Sequence, residues 1–309
     1  MQKIESFQAL YETALRPRFA ALETERKQVA DKLKLYGAIG FGVCFLLLFL
    51  KAGIFPFIIT GVGLYFFYQH HAKGFRSRYK HEVIRTMVTA EGLEYDAGRS
   101  IAQADYEKSK LFLQRINRYY GDDHVSGQVG KTNIRFSELF TQYESGSGKN
   151  KQLQTIFRGI LFIADFNKKF IGETMVLPDV SENLMGTFGS FLQGLNFSRP
   201  QLVKLEDVEF EKQFVVYSTD QVEARYILST ALMQRILNFK TKVQTRIALS
   251  FINSHVYIAI SINKNLFEPP SLFQSIDNYS QLVTYHGYIQ MCVGIVEELD
   301  LNTRIWTKE

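Results

Sequence analysis

Two short stretches carry residue types that handle phosphate. Gly130-Lys131-Thr132 ends as a phosphate-binding loop ends, and the apolar run Ile160 to Asp165 (ILFIAD) closes on an aspartate, as does the strand that holds a nucleotide's magnesium. The loop is too short. Val125 stands where the first glycine belongs, and Gly127 leaves only GQVGKT, which cannot wrap a phosphate chain. The flanking pattern is strand, turn, strand, whereas the motif needs strand, loop, helix. ESGSGKNK (Glu144 to Lys151) fails in the same way, with Tyr143 at the glycine position and Asn150 after Gly148-Lys149, and reads as a linker. A hydrolase acting on a nucleotide or other phosphate compound is therefore the alternative reading, not the leading one.

Other chemistries find less support. Of His70, His71, His81, His124, His255 and His286, none has a carboxylate or cysteine partner at metal-ligand spacing. Cys44 lies in an apolar run and Cys292 has no adjacent histidine, so thiol catalysis, a disulfide scaffold and a zinc framework are all disfavoured. No G-x-S-x-G elbow occurs. Glu206, Asp207, Glu209 and Glu211 read as solvated charge. The densest polar constellation is Asp220, Glu223 and Arg225 in STDQVEARYIL. Asp220 and Glu223 have capping-box spacing, and the Arg225 fork could hold the carboxylate of a partner or pair within its own helix. No catalytic residue, metal site or cofactor is expected.

These residues need elements to position them, and the strongest element signal is a membrane one. From Leu35 to Tyr68 the chain is apolar apart from Lys51, Thr60 and a few tyrosines and glycines. One span would put Lys51 near the bilayer centre, at a cost of about 2.5–3.5 kcal/mol. Two short helices, 35–50 and 54–68, place Lys51 at the tip and Pro56 in a first turn, where its missing N–H matters little. Each arm is roughly 24 Å long against a ~30 Å hydrocarbon core, so the hairpin either thins the bilayer or is re-entrant. Ala38, Gly42, Gly61 and Gly63 would allow close helix approach, or are glycines merely tolerated in lipid.

Charge orients the hairpin. The net charge is +5, and the excess lies in residues 1–34, at Lys51 and in 69–90, where Lys73, Arg76, Arg78, Lys80 and Arg85 cluster; residues 91–309 carry 23 Lys and Arg against 25 Asp and Glu. Both termini should face the cytoplasm. Juxtamembrane lysines and arginines meet anionic headgroups, and an acidic main domain argues against nucleic acid. The organisation expected is an N-terminal helical arm (1–34), a transmembrane hairpin (35–68), a basic juxtamembrane helix (69–90) and a cytosolic α+β domain of antiparallel sheet covered by helices (91–309). In the arm, Leu10, Leu15, Phe19, Leu22, Val29 and Leu33 are loosely periodic and Pro17 starts a second helical piece. This arm could mediate homo-oligomerisation.

Within the main domain, His124 to Val129 and Thr132 to Tyr143 read as a hairpin with a change of register near Glu138, and Thr155 to Phe166 as a central strand. Met175 to Leu177 and Phe214 to Tyr217 are shorter strands. Arg246 to Phe251 and His255 to Ile262 alternate around an Asn253-Ser254 turn, predicting a hairpin with one solvated face. Helices are predicted at 220–226, 230–240 and 279–299. The glycine-rich stretch 186–200 carries Phe188, Phe191 and Phe197, which either insert into a partner or the bilayer surface or fold back on the core.

GKTNIRFSEL, TIFRGILFIADFNKKF and LEDVEFEKQFVVYSTDQVEARYILSTALMQRIL resemble a bacterial family catalogued as a domain of unknown function, number 3137. The likeness extends over nearly the whole chain. It implies an inner-membrane protein with a helical arm, a membrane hairpin and a cytosolic domain, and supplies no activity, substrate or catalytic residue. The leading expectation is a non-enzymatic, membrane-anchored binding or scaffold module that meets lipid and a protein partner. A subunit of a transport or envelope complex is the other alternative.

Overall fold

The computed structural model describes residues 7–51, 53–146, 148–166, 169–179, 200–276 and 278–302. Two compact units divide the chain: Met1–Glu91 with Phe267–His286, and Gly92–Leu266 with Gly287–Glu309.

The first unit is helical. Helix α1 runs Phe7–Phe49 and, among the described residues, is the one helix long and apolar enough to cross a membrane by length and composition. Pro17 lies inside it and does not start a second piece. A proline lacks its own N–H and crowds the carbonyl four residues back; here the preceding turn, Tyr11–Leu15, widens into a π-helix with the Arg16 N–H on the Tyr11 carbonyl, which accommodates the ring without ending the helix. Leu15, Phe19, Leu22, Val29 and Leu33 are buried along one stripe, as their spacing predicts.

Lys51, in a left-handed conformation (φ 61°), caps the turn after α1. Helix α2, Phe55–Tyr79, starts with Pro56 in its first turn and continues through a π turn (Lys80–Ile84) into α3, Arg85–Ala90. The basic stretch is thus a continuation of α2, not a helix of its own. Helices α1 and α2 pack side by side. At Gly40 an added Cβ would lie 2.5 Å from Thr60 Cγ2, and Cys44 Sγ sits 3.2 Å from Thr60 Oγ1. The close approach therefore uses the Gly37, Gly40, Cys44 stripe. Gly42, Gly61 and Gly63 have open space where a side chain would go, and Ala38 is exposed, because residues one or two places off the stripe are rotated away from the neighbouring helix.

The second unit is one antiparallel sheet. Strands β1 (Glu94–Asp96), β2 (Arg118–Val129), β3 (Thr132–Ser145), β4 (Gln152–Asp165), β5 (Glu173–Pro178), β6 (Gln201–Val203), β7 (Phe214–Ser218), β8 (Ile247–Ile252) and β9 (His255–Ser261) lie in the order β1-β2-β3-β4-β9-β8-β5-β7-β6. Every pair is antiparallel. Among the described residues the remaining helices are α4 (Gln103–Lys108), α5 (Val208–Glu211), α6 (Gln221–Ile227), α7 (Thr230–Val243) and α8 (Tyr279–Glu298).

The hairpin β8–β9 has no solvated face. Its residues are buried almost without break because it sits mid-sheet with cover on both sides. On one side α4 and the coil before and after it bring Ile101, Tyr106, Leu111 and Phe112 onto Leu139, Leu161, Met175, Tyr257 and Ala259. On the other, α7 buries Leu232, Met233, Ile236 and Phe239, and its Lys240 ammonium lies over the Phe214 ring of β7. Gly159 lets β4 and β9 close up: a side chain there would strike the Ile260 carbonyl. The register change falls in β2, between Asp122 and Val125 and opposite Glu138 and Phe136. Asp123 takes φ 56° in this bulge, which turns its side chain into the interior.

Candidate functional site

The residues singled out at 220–225 form the corner where β7 turns into α6. The Asp220 carboxylate caps the helix, accepting the Val222 and Glu223 N–H groups at 2.9 Å each. The capping box is not closed. The Asp220 N–H goes to Ser218 Oγ at 3.1 Å, and the buried Glu223 carboxylate reaches across to the turn before β5, accepting the Ile171 N–H at 3.1 Å and the Gly172 N–H at 2.7 Å. Thr219 and Glu173 tie the same turn down through two further backbone-linked bonds. Arg225 is exposed and its guanidinium stays on its own helix, on the Gln221 carbonyl and side chain. The three residues thus take three roles: cap, clamp and exposed cation. The clamp fixes the backbone at Ile171, whose side chain is exposed, as are those of Val222 and Tyr226, one turn apart on α6. Ile171 was not singled out from sequence; the signal available was the basic-apolar run NKKFI.

Phe188, Phe191 and Phe197 lie outside the described residues. Lys51 is exposed at the tip of the helical hairpin, and Lys73 is exposed on α2. Arg76 and Lys80 converge on Glu268, at 2.7 and 3.1 Å, with Lys80 buried. Arg78 pairs with Glu25. The Glu268 carbonyl also accepts bonds from Gln281 and Tyr285, so this glutamate joins α2, the segment after β9 and α8 within the helical unit. A second node holds the same segment: Arg26 pairs with Glu23 at 2.7 Å and donates to the Leu272 carbonyl, while Glu23 accepts the Ile276 N–H at 3.3 Å. Neither node was visible in sequence, since partners more than 180 residues apart leave no local pattern.

The Gly-Lys-Thr turn is a β-hairpin turn whose phosphate-binding groups are engaged. The Lys131 N–H and the Thr132 hydroxyl both donate to Asn302 Oδ1, at 2.7 and 3.0 Å, and the Asn302 amide fills the space above Gly130. Asp165 lies across β3 from this turn, accepting from Asn133 at 2.7 Å with His255 at 3.4 Å.

The bulge in β2 builds a group that sequence reading passed over. Carboxylate oxygens of Asp122, Asp123 and Glu138 lie within 4.8 Å of one another. The Tyr95 hydroxyl donates to Asp123 and the Leu266 N–H to Glu138 at 2.8 Å, which offsets part of their mutual repulsion. Oxygen donors of this kind are what hard divalent cations take. Next to the trio, burial and the charges of Arg99 and Arg135 hold the His124 imidazole below the ordinary histidine range. Burial pushes the Cys292 thiol far above its usual range, which keeps it unreactive. Elsewhere, a cavity of about 730 Å³ opens beside the coil after α4, floored by Phe112, Ile116 and Met175 and rimmed by the Lys110–Glu173 pair at 2.6 Å.

The fold and these sites define an α+β protein in which a helical hairpin unit accompanies a nine-stranded antiparallel sheet. Residues 155–301 match the model of a family described as "Protein of unknown function (DUF3137)", the family that the sequence motifs resemble. No curated protein matches the chain. A solved structure, the crystal structure of the mycobacterial trehalose monomycolate transport factor A, TtfA, is similar at 9% identity and a TM-score of 0.33, covering 72% of this chain and 94% of that one. A likeness at that score carries no argument about this chain.

Proposed function

We propose that the protein is an integral inner-membrane protein, anchored by α1 and α2 as two spans with both termini cytoplasmic, and that it serves as a non-enzymatic binding or scaffold module presenting its α+β domain to a protein partner. The observation that carries this reading is the outward apolar surface of the hairpin. Phe41, Phe45, Leu46, Phe49, Leu50, Ile54, Phe55, Ile59 and Phe66 are all exposed. Each such side chain left in water forgoes about 1.5–3 kcal/mol relative to burial, and a bilayer removes that penalty. The lysine and arginine excess on the chain flanking both arms supports the orientation.

The helical backbone runs on past residues 35 and 68, but the apolar part of α2 ends near Tyr68 and stays short of the ~30 Å hydrocarbon core, so the second span relies on local thinning of the bilayer. The hydrolase alternative loses its main support, because Asn302 occupies the groups that a phosphate would need.

Alkaline extraction and site-directed labelling test the anchor. The full chain stays in the membrane pellet, Lys51→Cys reacts with an impermeant thiol reagent from the periplasmic side, and Lys34→Cys and Lys73→Cys react only after permeabilisation. Extraction at alkaline pH, or labelling of position 51 from the cytoplasmic side alone, would contradict the two-span topology. Affinity capture from gently solubilised membranes then tests the scaffold role: a stoichiometric partner is expected, and recovery of the protein alone argues against it.

A further inference from the structure

We propose that the corner formed by the 169–172 turn and α6 is a second, peripheral membrane contact, which inserts Ile171 and Val222 into an anionic bilayer surface. The proposal rests on the membrane-anchored reading above and adds a second site of attachment.

Ile171 is 93% exposed and Val222 78%, the two most exposed large apolar side chains among the described residues of the sheet unit. Tyr226, one helical turn beyond Val222, is half-exposed, an amphipathic ring of the kind that settles at the headgroup level. This exposure is built in. The buried Glu223 carboxylate grips the Ile171 and Gly172 N–H groups, and the Phe170 ring beside them is buried, packing edge-on against Phe251 in the core at 5.9 Å. The turn is therefore held from below, and its apolar tip points to solvent at no further ordering cost when it meets lipid.

The charges at the corner select the sign of the surface. Lys169, two residues before Ile171, and Arg225, three residues after Val222, are both exposed. Of the three carboxylates at the corner, Asp220 caps the helix, Glu223 is the buried clamp, and Glu173 is paired with Lys110 at 2.6 Å. The acidic run from Glu206 to Glu211 enters β7 at Phe214, the end of that strand away from Asp220. Exposed cations close in sequence to an exposed aliphatic tip are complementary to anionic headgroups over a hydrocarbon interior.

The full chain is reconstituted into vesicles of phosphatidylcholine alone and of phosphatidylcholine mixed with phosphatidylglycerol, with an environment-sensitive fluorophore on Val222→Cys. The native Cys44 and Cys292 are buried, so labelling is selective. In the anionic vesicles the emission shifts to the blue and is shielded from an aqueous quencher. Ile171→Asp abolishes the shift, and it leaves the fold intact because its side chain touches solvent, as an unchanged circular dichroism spectrum confirms. The double change Lys169→Gln with Arg225→Gln lowers the inserted-to-free ratio of the corner roughly twenty-five-fold, from about a fivefold contribution per basic residue at a membrane surface.

A chain that floats with both vesicles while the fluorophore stays in water in both overturns the corner contact alone. Equal shielding in the two lipids, unaffected by the charge changes, overturns the anionic selectivity. Shielding that appears only on adding a cytosolic protein fraction overturns lipid as the occupant in favour of a protein. A chain that floats with neither vesicle overturns the anchor and this proposal together.

Discussion

Phenylalanines behave in opposite ways on the hairpin arms and in the sheet unit. Phe41, Phe45, Phe49 and Phe66 of the helical hairpin face outward, whereas Phe136, Phe157, Phe162 and Phe251 of the sheet unit are sealed from solvent. Charged groups show the reverse. The sheet unit keeps most of its ion pairs at its surface, while the helical unit places Arg26 and Lys80 in its interior, each matched to a glutamate. The hairpin is joined by small-residue contact at Gly37 and Gly40, whereas the rest of the helical unit is fixed by buried polar nodes. A sheet in water draws its stability from apolar area removed on both faces.

The sharpest break of this contrast is a pair of truncations. Phe162→Ala should destabilise the sheet unit by about 4 kcal/mol, while Phe45→Ala on the hairpin should change stability by less than about 0.5 kcal/mol. Hydrogen exchange of the detergent-solubilised chain reads both, and comparable losses would mean that the hairpin surface is packed against protein and not lipid. Next in size is the Glu268 node. Glu268→Gln removes a carboxylate paired with the buried Lys80 ammonium at 3.1 Å and should cost about 3 kcal/mol in protection of residues 267–285. Adding Lys80→Met should restore most of it, since removing both charges is tolerated far better than removing one. If the single change is silent, the node does not hold the segment.

The smallest effect concerns pH and belongs to the sheet unit. His124 has a folded pKa below its unfolded value, so the unfolded chain takes up the proton first. Its contribution is complete above the ordinary histidine value of about 6.5 and is lost as the pH falls through the folded value. The melting temperature should decline over that acidic window, and His124→Gln should flatten the decline; an unchanged slope would show that another group governs it.

The hairpins at 130–131 and 253–254, the helices beginning at Asp220 and near Thr230, and the buried stripe of α1 were readable because each rests on contacts within a few residues. The exceptions have definite causes. Pro17 marks a helix start by its local chemistry, but one π turn absorbs it. The alternation in β8 and β9 predicts a wet face, yet alternation describes a strand and says nothing about what lies on its two sides. Gly42, Gly61 and Gly63 fit a close helix contact by residue type, yet Gly37 and Gly40 make it, because the facing side of a helix depends on its rotation against its neighbour. At the corner, Asp220 was legible as a cap from its own helix, whereas Glu223 was not legible as a clamp, for its partners lie 51 and 52 residues away.

By itself the sequence determined the α+β class, the apolar run with Lys51 at its tip, the charge asymmetry about that run and the turn chemistry of the sheet, all of which follow from local propensity and composition. The tertiary structure alone decided which strands are central, that Asn302 closes over the Gly-Lys-Thr turn, that Asp122, Asp123 and Glu138 meet at a bulge, and that Ile171 is held out to solvent. These are pairings between distant parts of the chain, set by how whole elements pack, and no local pattern of residues encodes them.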